Sequence, residues 1–159
     1  MEYNLVTENA FEYKGYPCVV KFMPHGHRCG YVGISKLNPL YRNSPEYFRN
    51  KINCHGGVTY CEDHLPDGKD KDYLWVGFDC AHACDGADYD LVIERYGDDP
   101  VFADAVNSAK ILKDHHLGID FGPIRDLKYV NSECERIVDQ LEKIISRKND
   151  ILASSKREK

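Results

Sequence analysis

Histidine, aspartate and cysteine side chains gather in three short stretches of the chain, each of which contains or adjoins glycine. The stretches contribute His27 and Cys29, then His55, and finally Asp79, Cys80, His82 and Asp85. Histidine carries protons near neutral pH, and a neighbouring carboxylate can hold its ring in one orientation. The residue types predict one polar site that the fold assembles from three places.

A metal ion is one use for this set, because histidine, aspartate and cysteine are the usual ligands of zinc. The candidate metal ligands are His27, His55, Asp79 and His82. Their spacing matches no paired zinc motif, since the chain has no Cys-x-x-Cys pair and no His-Glu-x-x-His segment. Zinc is therefore an open alternative for the cofactor.

A pocket for a small ligand, such as a nucleotide, is the use that we favour. It needs an aromatic platform, a few convergent polar groups and close approach of the backbone. Aromatic rings and glycines that accept unusual backbone conformations are both present. The expected ligand-binding residues are His27, Tyr31, His55, Gly56, Gly57, Trp75, Asp79, His82 and Asp85. A structural alternative, in which a buried aspartate–histidine pair joins two loops, stays open.

Cysteine chemistry is a third use, and the resulting activity would be a hydrolase that works with or without zinc. Cys80 and Cys84 flank His82, and Cys29 follows His27 by two residues. Catalytic partners usually meet only in the fold, so this proximity is weak support. The odd count of seven cysteines argues against a disulfide framework, and we expect reduced thiols.

Residues 73–80 are predicted to form the strand that leads into the third stretch. Leu74, Val76, Phe78 and Cys80 alternate with Tyr73, Trp75, Gly77 and Asp79, which is the period of a strand. The apolar set can face a core, which leaves Trp75 and Asp79 on the opposite face. A second strand is predicted over 27–34, with His27 and Tyr31 on one face.

The pattern changes from strands before residue 81 to helices after residue 100. The predicted elements are strands at 2–7, 11–14, 18–23 and 58–60, an extended piece at 91–93, helices at 45–52, 100–113 and 124–147, and a break over 115–123. This segregation favours an α+β fold, mainly an antiparallel sheet with a long C-terminal amphipathic helix packed on it. We expect a single domain over 1–148 and a frayed tail over 149–159.

The composition of the 159-residue chain is that of an ordinary globular protein, with 42% hydrophobic and 30% charged residues. No apolar run approaches the ~20 residues that a membrane span needs. The first residues lack the basic start and apolar core of a signal peptide. We therefore expect a cytoplasmic protein that does not engage a membrane.

Charge is unevenly distributed along the chain, whose net charge is −5. Residues 60–100 hold twelve acidic and three basic side chains, while the C-terminal end is mildly basic. An acidic surface repels phosphate backbones, and no basic stripe marks nucleic-acid binding. Direct nucleic-acid binding is not expected, but an acidic inhibitor that mimics nucleic acid towards a protein partner stays an alternative.

Four segments together resemble those of a group of small uncharacterised proteins encoded by phages and prophages. They are Gly-His-Arg-Cys-Gly-Tyr-Val at 26–32, His-Gly-Gly-Val-Thr-Tyr at 55–60, Trp-Val-Gly-Phe-Asp-Cys-Ala-His at 75–82 and Arg-Asp-Leu-Lys-Tyr-Val at 125–130. The resemblance covers most of residues 16–145. It implies an accessory protein of the host cytoplasm that binds a small-molecule ligand or a host protein and counters host defence.

Overall fold

The structure is a computed structural model that describes residues 5–115 and 122–157. Its strands are β1 (Val6–Tyr13), β2 (Tyr16–Phe22), β3 (Arg28–Ser35), β4 (Tyr60–Glu62) and β5 (Tyr73–Asp79). Its helices are α1 (Pro45–Lys51), α2 (Tyr89–Tyr96), α3 (Ala103–Asp114) and α4 (Leu127–Arg157), with a 3₁₀ turn at Pro100–Phe102. The strands form one antiparallel sheet in the order β1-β2-β3-β5-β4. The predicted α+β fold, with a long C-terminal helix against an antiparallel sheet, is confirmed.

One face of the sheet packs against α4, and the alternation along β5 explains which side chains do so. Val76, Phe78 and Cys80 lie in the main core with residues of β2 and β3. The fully buried residues of α4 in this core are Val130, Cys134, Ile137, Val138 and Leu141. They repeat at intervals of three and four residues, which is the apolar stripe of a helix that covers a sheet. This core holds β5 and α4 in fixed positions.

The opposite face of the sheet is covered by the charged loop 63–72. Leu65 of this loop packs with Tyr31 and Trp75 in a second apolar cluster. Beside it, Lys21 Nζ lies 2.8 Å from Asp67 Oδ2, and both side chains are at most 2% exposed. A buried ion pair needs good geometry to offset the loss of hydration, and this one closes the loop onto the sheet.

The segment from residue 88 to residue 115 forms a helical layer against the end of β2. The predicted extended piece at 91–93 is wrong, because Asp88 caps a helix there by accepting a hydrogen bond from the Leu91 amide. Val92 and Tyr96, four residues apart, then face Phe22. The predicted helix at 100–113 is present as the 3₁₀ turn and α3. The core of this layer is closed by Phe102, Val106 and Ala109.

The C-terminal helix is longer than predicted, since α4 continues to Arg157, the last described residue, rather than ending near residue 147. Residues 146–157 are all exposed, and none of them belongs to a hydrophobic core. They contain no glycine or proline, and extending an existing helix avoids the cost of nucleating a new one. Of the predicted break over 115–123, residues 116–121 lie outside the described part of the chain.

Near the N-terminus, two predicted strands and one predicted helix start can be compared with β1 and α1. Of the two strands predicted at 2–7 and 11–14, residues 2–4 lie outside the described part of the chain, and a single strand, β1, runs through the rest, with an irregular register between Thr7 and Asn9. The predicted helix start is confirmed, because Ser44 accepts a hydrogen bond from the Tyr47 amide and Pro45 occupies the first turn.

Within the described ranges, no helix has both the length and the apolar character needed to cross a membrane.

Candidate functional site

Asp85 is the centre of a hydrogen-bonded cluster that joins three parts of the chain. Its side chain is 1% exposed and accepts four hydrogen bonds. His55 Nε2 lies 2.7 Å from Oδ2, and Arg125 Nε lies 2.9 Å from Oδ1. The backbone amide and Nδ1 of His82 lie 3.1 and 3.3 Å from Oδ2. Both oxygens of this buried carboxylate are therefore satisfied, as burial requires.

The turn after β5 brings His82 and Asp85 together. The Asp85 amide donates to the His82 carbonyl at 2.9 Å, which closes a four-residue turn. The Gly86 amide donates to the Pro123 carbonyl at 3.0 Å and ties this turn to the segment that precedes α4. The rigid strand β5 and the helix α4 thus position the two site residues from both sides.

His55 is anchored through both ring nitrogens and its backbone amide and has little freedom to move. Its Nδ1 lies 2.9 Å from the Tyr129 hydroxyl, and its Nε2 contacts Asp85. Its backbone amide donates to Glu133 Oε2 at 2.8 Å. With only 9% of the side chain exposed, His55 is largely shielded from solvent and lies behind the residues that line the surface.

His82 is the more open of the two histidines, with 33% of its side chain exposed. Its Nδ1 points at Asp85, whereas its Nε2 has no hydrogen-bond partner among the described residues. The ring lies directly on Gly56, where a Cβ would come within 1.9 Å of the ring carbon Cε1. Gly56 also has φ +64°, a conformation that favours glycine. Glycine is therefore required at this position for two reasons, the contact with the ring and the backbone conformation.

The electrostatics of Asp85 follow from these contacts. Burial acts to raise the pKa of Asp85, but the hydrogen bonds from His55 and Arg125 outweigh it and lower the pKa to about 2. Asp85 is therefore an anion at neutral pH and presents its negative charge to both histidines. A fixed anion of this kind orients imidazole rings and favours cations beside it.

A cleft opens next to this cluster, between the β2–β3 loop and the turn after β5. We call it the histidine cleft, and it has a volume of about 240 Å³. Its walls include His25, His27, Ala81, His82, Asp85 and Ala87. Burial lowers the pKa of His27, while the charge of Asp79 acts in the opposite direction. The Asp88 amide donates to the Gly26 carbonyl at 2.7 Å, which holds the two walls together.

Three donor atoms in the cluster are close enough for one metal ion. They belong to His55, His82 and Asp85, and all lie within 4.8 Å of one another. Of the four predicted metal ligands, the structure thus brings together His55 and His82. Asp79 Oδ1 lies 4.0 Å from His82 Nδ1 at the edge of the group, and His27 faces the cleft instead.

Trp75 and Tyr31 lie away from the cleft, which differs from the predicted aromatic platform. They are 1% and 3% exposed in the cluster under loop 63–72. The Trp75 indole donates to the Asp70 carbonyl at 2.8 Å, so its polar atom is also satisfied. The strand alternation correctly placed Trp75 opposite the α4 core, but the loop buries that face as well. Neither ring has an exposed face for a ligand in this conformation.

The cysteines offer little support for a thiol nucleophile. Six of the seven are buried, and Cys84 is exposed. Burial raises the pKa of Cys29 to about 12 and that of Cys80 further, which suppresses the reactive thiolate. Cys80 lies in the α4 core as an apolar residue. All seven cysteines are free thiols in this structure.

The sequence patterns missed four residues that build the site. Arg125, Tyr129 and Glu133 all contact Asp85 or His55, and they are spaced by four residues at the start of α4. This spacing places them on one side of a helical path, which is a signal that a search for polar faces could have used. His25 lines the cleft and lies only two residues before His27.

The acidic stretch 60–100 is less uniform in the fold than in the sequence. Two of its twelve acidic residues, Asp67 and Asp85, are buried and paired with cations. The others lie in different parts of the fold, including the exposed residues of loop 63–72 and α2. The stretch therefore serves both the surface and two internal ion pairs.

Comparisons of the chain with protein-family models, curated protein sequences and solved structures found no match. The class of protein is thus defined by the α+β fold and the histidine–aspartate cluster at the end of β5. Chemically, this cluster can bind a cation, orient His82 for proton transfer, or hydrogen-bond a polar ligand.

Proposed function

We propose that the protein is a phage-type accessory protein that binds a small polar ligand in the histidine cleft. The observation that carries this proposal is the fixed position of His82 on the cleft wall. A buried carboxylate holds one side of the ring, and Gly56 supports its face. Polar groups held in place before binding lose little conformational entropy when a ligand arrives, which favours affinity.

The size of the cleft limits the kind of ligand. Its volume of about 240 Å³ is smaller than the ~300–1,000 Å³ of typical pockets for drug-sized molecules. It suits one part of a nucleotide, such as the base or the phosphate, better than a complete large cofactor. His25 and His27 supply further hydrogen-bonding groups at its mouth.

The resemblance to phage-encoded proteins supports a role against host defence. A cytoplasmic protein with such a cleft could remove a nucleotide signal from the host cell by holding it. A host protein that inserts a polar side chain into the cleft is the alternative partner. The acidic surface argues against nucleic acid as the direct ligand.

The test is binding of a panel of nucleoside monophosphates, diphosphates and cyclic nucleotides, measured by calorimetry with metal chelated. We expect one site per chain for at least one compound, with affinity reduced at least roughly tenfold in His82→Ala and His27→Ala. The matched control is His64→Ala, because His64 contacts Asp63 in an exposed pair on loop 63–72. Absence of binding, or binding unchanged in both cleft variants, would reject the proposal.

A hydrolase is a second candidate, favoured by the hydrogen bond between Asp85 and His82 Nδ1. This arrangement directs Nε2 as a base, and Nε2 has no other partner among the residues described. A water molecule rather than a thiol would be the nucleophile, because the thiols near His82 in the core are unreactive. Turnover of a bound nucleotide that disappears in His82→Ala would support this activity, whereas binding without turnover would remove it.

A further inference from the structure

We propose that a single divalent metal ion such as zinc binds at the inner end of the histidine cleft. Its ligands would be His55 Nε2, His82 Nδ1 and Asp85 Oδ2. The three atoms lie within 4.8 Å of one another, and imidazole and carboxylate are preferred zinc ligands. Two histidines and one carboxylate are also a recurring set for catalytic zinc, which keeps a fourth position open.

Two of the three distances between the donor atoms are close to those of a tetrahedral metal site. In a tetrahedral site with bonds near 2.0 Å, neighbouring ligand atoms are about 3.3 Å apart. His82 Nδ1 and Asp85 Oδ2 already have a separation of 3.3 Å, and His55 Nε2 and Asp85 Oδ2 are 2.7 Å apart. A metal would widen the second distance by about 0.6 Å, draw together the two histidine nitrogens, which lie within 4.8 Å, and replace two hydrogen bonds.

Proton positions can accommodate this replacement without an external partner. A neutral His55 that binds metal through Nε2 carries its proton on Nδ1, where it can donate to the Tyr129 hydroxyl at 2.9 Å. A neutral His82 that binds through Nδ1 carries its proton on Nε2, which points to no described acceptor and can face a ligand. Each ring therefore changes its tautomer and keeps its charge.

The groups behind the three ligands resemble those that orient ligands in metal sites. Tyr129 contacts the far nitrogen of His55, and Arg125 donates to the far oxygen of Asp85. Arg125 thereby leaves Oδ2 as the oxygen that faces the histidines. Outer partners of this kind fix the tautomer and the orientation of metal ligands, and their loss weakens metal binding 10–100-fold in general.

The charge around the cluster also favours a cation. Three carboxylates, of Asp79, Asp85 and Glu133, are partly offset by the guanidinium groups of Arg125 and Arg136. Together with these three negative and two positive groups, a divalent ion would give the cluster a net charge of +1. An anionic oxygen in the open position would neutralise it.

The open position defines the chemical class of the ligand. His55 and Asp85 are buried behind His82, and His82 and Asp85 line the cleft. The fourth position would therefore open towards the cleft, whose walls include His25 and His27. Resting on the proposed ligand binding, we infer that a ligand already held by the cleft without metal binds more tightly when the metal meets an anionic oxygen of its phosphate or carboxylate.

The experiment is titration of chelator-treated protein with Zn²⁺ and Co²⁺, followed by native mass spectrometry and calorimetry. We expect one ion per chain, and a Co²⁺ visible spectrum without a thiolate charge-transfer band. His82→Ala and Asp85→Asn should each lower affinity more than ~100-fold, and Tyr129→Phe roughly tenfold. His64→Ala is the matched control, since His64 and Asp63 form an exposed pair at 2.8 Å.

Melting curves and circular dichroism of every variant without metal establish that each one is folded. Since His82 is partly exposed, His82→Ala is the variant that decides the result if Asp85→Asn does not fold. No bound ion in wild type, equal affinity in His82→Ala, or loss in His64→Ala would overturn the metal site. Nucleotide binding measured with chelator present remains a separate result, so the metal site can fail while ligand binding stands.

Discussion

Two buried carboxylates, Asp67 and Asp85, lie in different regions of this protein and have different surroundings. Each side chain is 1% exposed, and each has a cationic partner within 3 Å. Asp67 meets Lys21, which is 2% exposed, so that pair is closed to solvent on both sides. Asp85 meets two histidines, one of which is 33% exposed and lines a cleft.

The comparison separates a structural ion pair from a candidate site. Burial and pairing are common to both regions and say nothing by themselves about function. The difference is that Asp85 orients two histidine side chains, one of which, His82, is exposed at the surface. Four sets of variants compare the closed pair, Lys21–Asp67, with the open cluster around Asp85, in order of decreasing effect on stability.

Breaking the closed pair should have the largest effect on stability. Lys21→Met leaves Asp67 buried with only the exposed Lys69, whose Nζ lies 3.5 Å from Oδ2, as a cationic partner, and we expect a loss of roughly 3 kcal/mol in the free energy of unfolding. Chemical denaturation measures this loss. Lys36→Met is the control, because the Lys36–Asp72 pair at 3.8 Å is exposed and contributes little. A loss below ~1 kcal/mol in Lys21→Met would mean that the Asp67 carboxylate becomes hydrated in the variant.

In metal-free protein, Asp85 of the open cluster should account for a clear part of the loss of stability at acid pH. Folding lowers the pKa of Asp85 from 3.8 to about 2, so its contribution is present above pH ~4 and is lost as the pH falls towards 2. The difference corresponds to about 2 kcal/mol. Denaturation between pH 2 and pH 5 should show a shallower pH dependence in Asp85→Asn. Equal slopes in variant and wild type would contradict the ion-pair geometry.

Gly56 and Gly57 form a matched pair that isolates the contact with His82. Both have positive φ, but only at Gly56 would a Cβ overlap the His82 ring. We expect Gly57→Ala to cost roughly 1 kcal/mol from backbone strain alone, and Gly56→Ala roughly 1 kcal/mol more. Thermal melts give the difference. Only Gly56→Ala should also reduce binding in the cleft, and equal effects of the two would show that the ring moves freely.

His82→Ala should have the smallest effect on stability. The side chain is one-third exposed and only one of several partners of Asp85, so we expect a loss under ~1 kcal/mol together with lost metal or ligand binding. Melting and calorimetry on the same sample measure both. A loss above ~2 kcal/mol with unchanged binding would make residues 79–85 a structural corner.

Local patterns predicted most of the fold. The alternation of Leu74, Val76 and Phe78 predicts β5 and its core face, and the cap at Ser44 predicts the start of α1. The stripe through Ile137 and Leu141 predicts α4, although its end depends on helix propagation rather than on packing. These features depend on near neighbours in sequence, so one sequence contains enough information.

The site was only partly predictable, because its contacts join distant segments. His55, His82 and Asp85 were identified by residue type and by glycine neighbours, but their partner Arg125 lies 40 residues from Asp85. The role of Trp75 was missed for the same reason, since its burial depends on how loop 63–72 folds over the sheet. Alternation along a strand distinguishes the two faces but does not tell which of them a loop will cover.

The burial of Trp75 makes the closed region visible to fluorescence independently of the cleft. Trp75 is the only tryptophan, and it is 1% exposed beside loop 63–72, so its emission should be blue-shifted. Red-shifted emission would report lifting of this loop, and filling of the histidine cleft should leave the emission unchanged. One optical signal can thus follow the opening of the sheet's covered face, while histidine resonances in nuclear magnetic resonance follow the site.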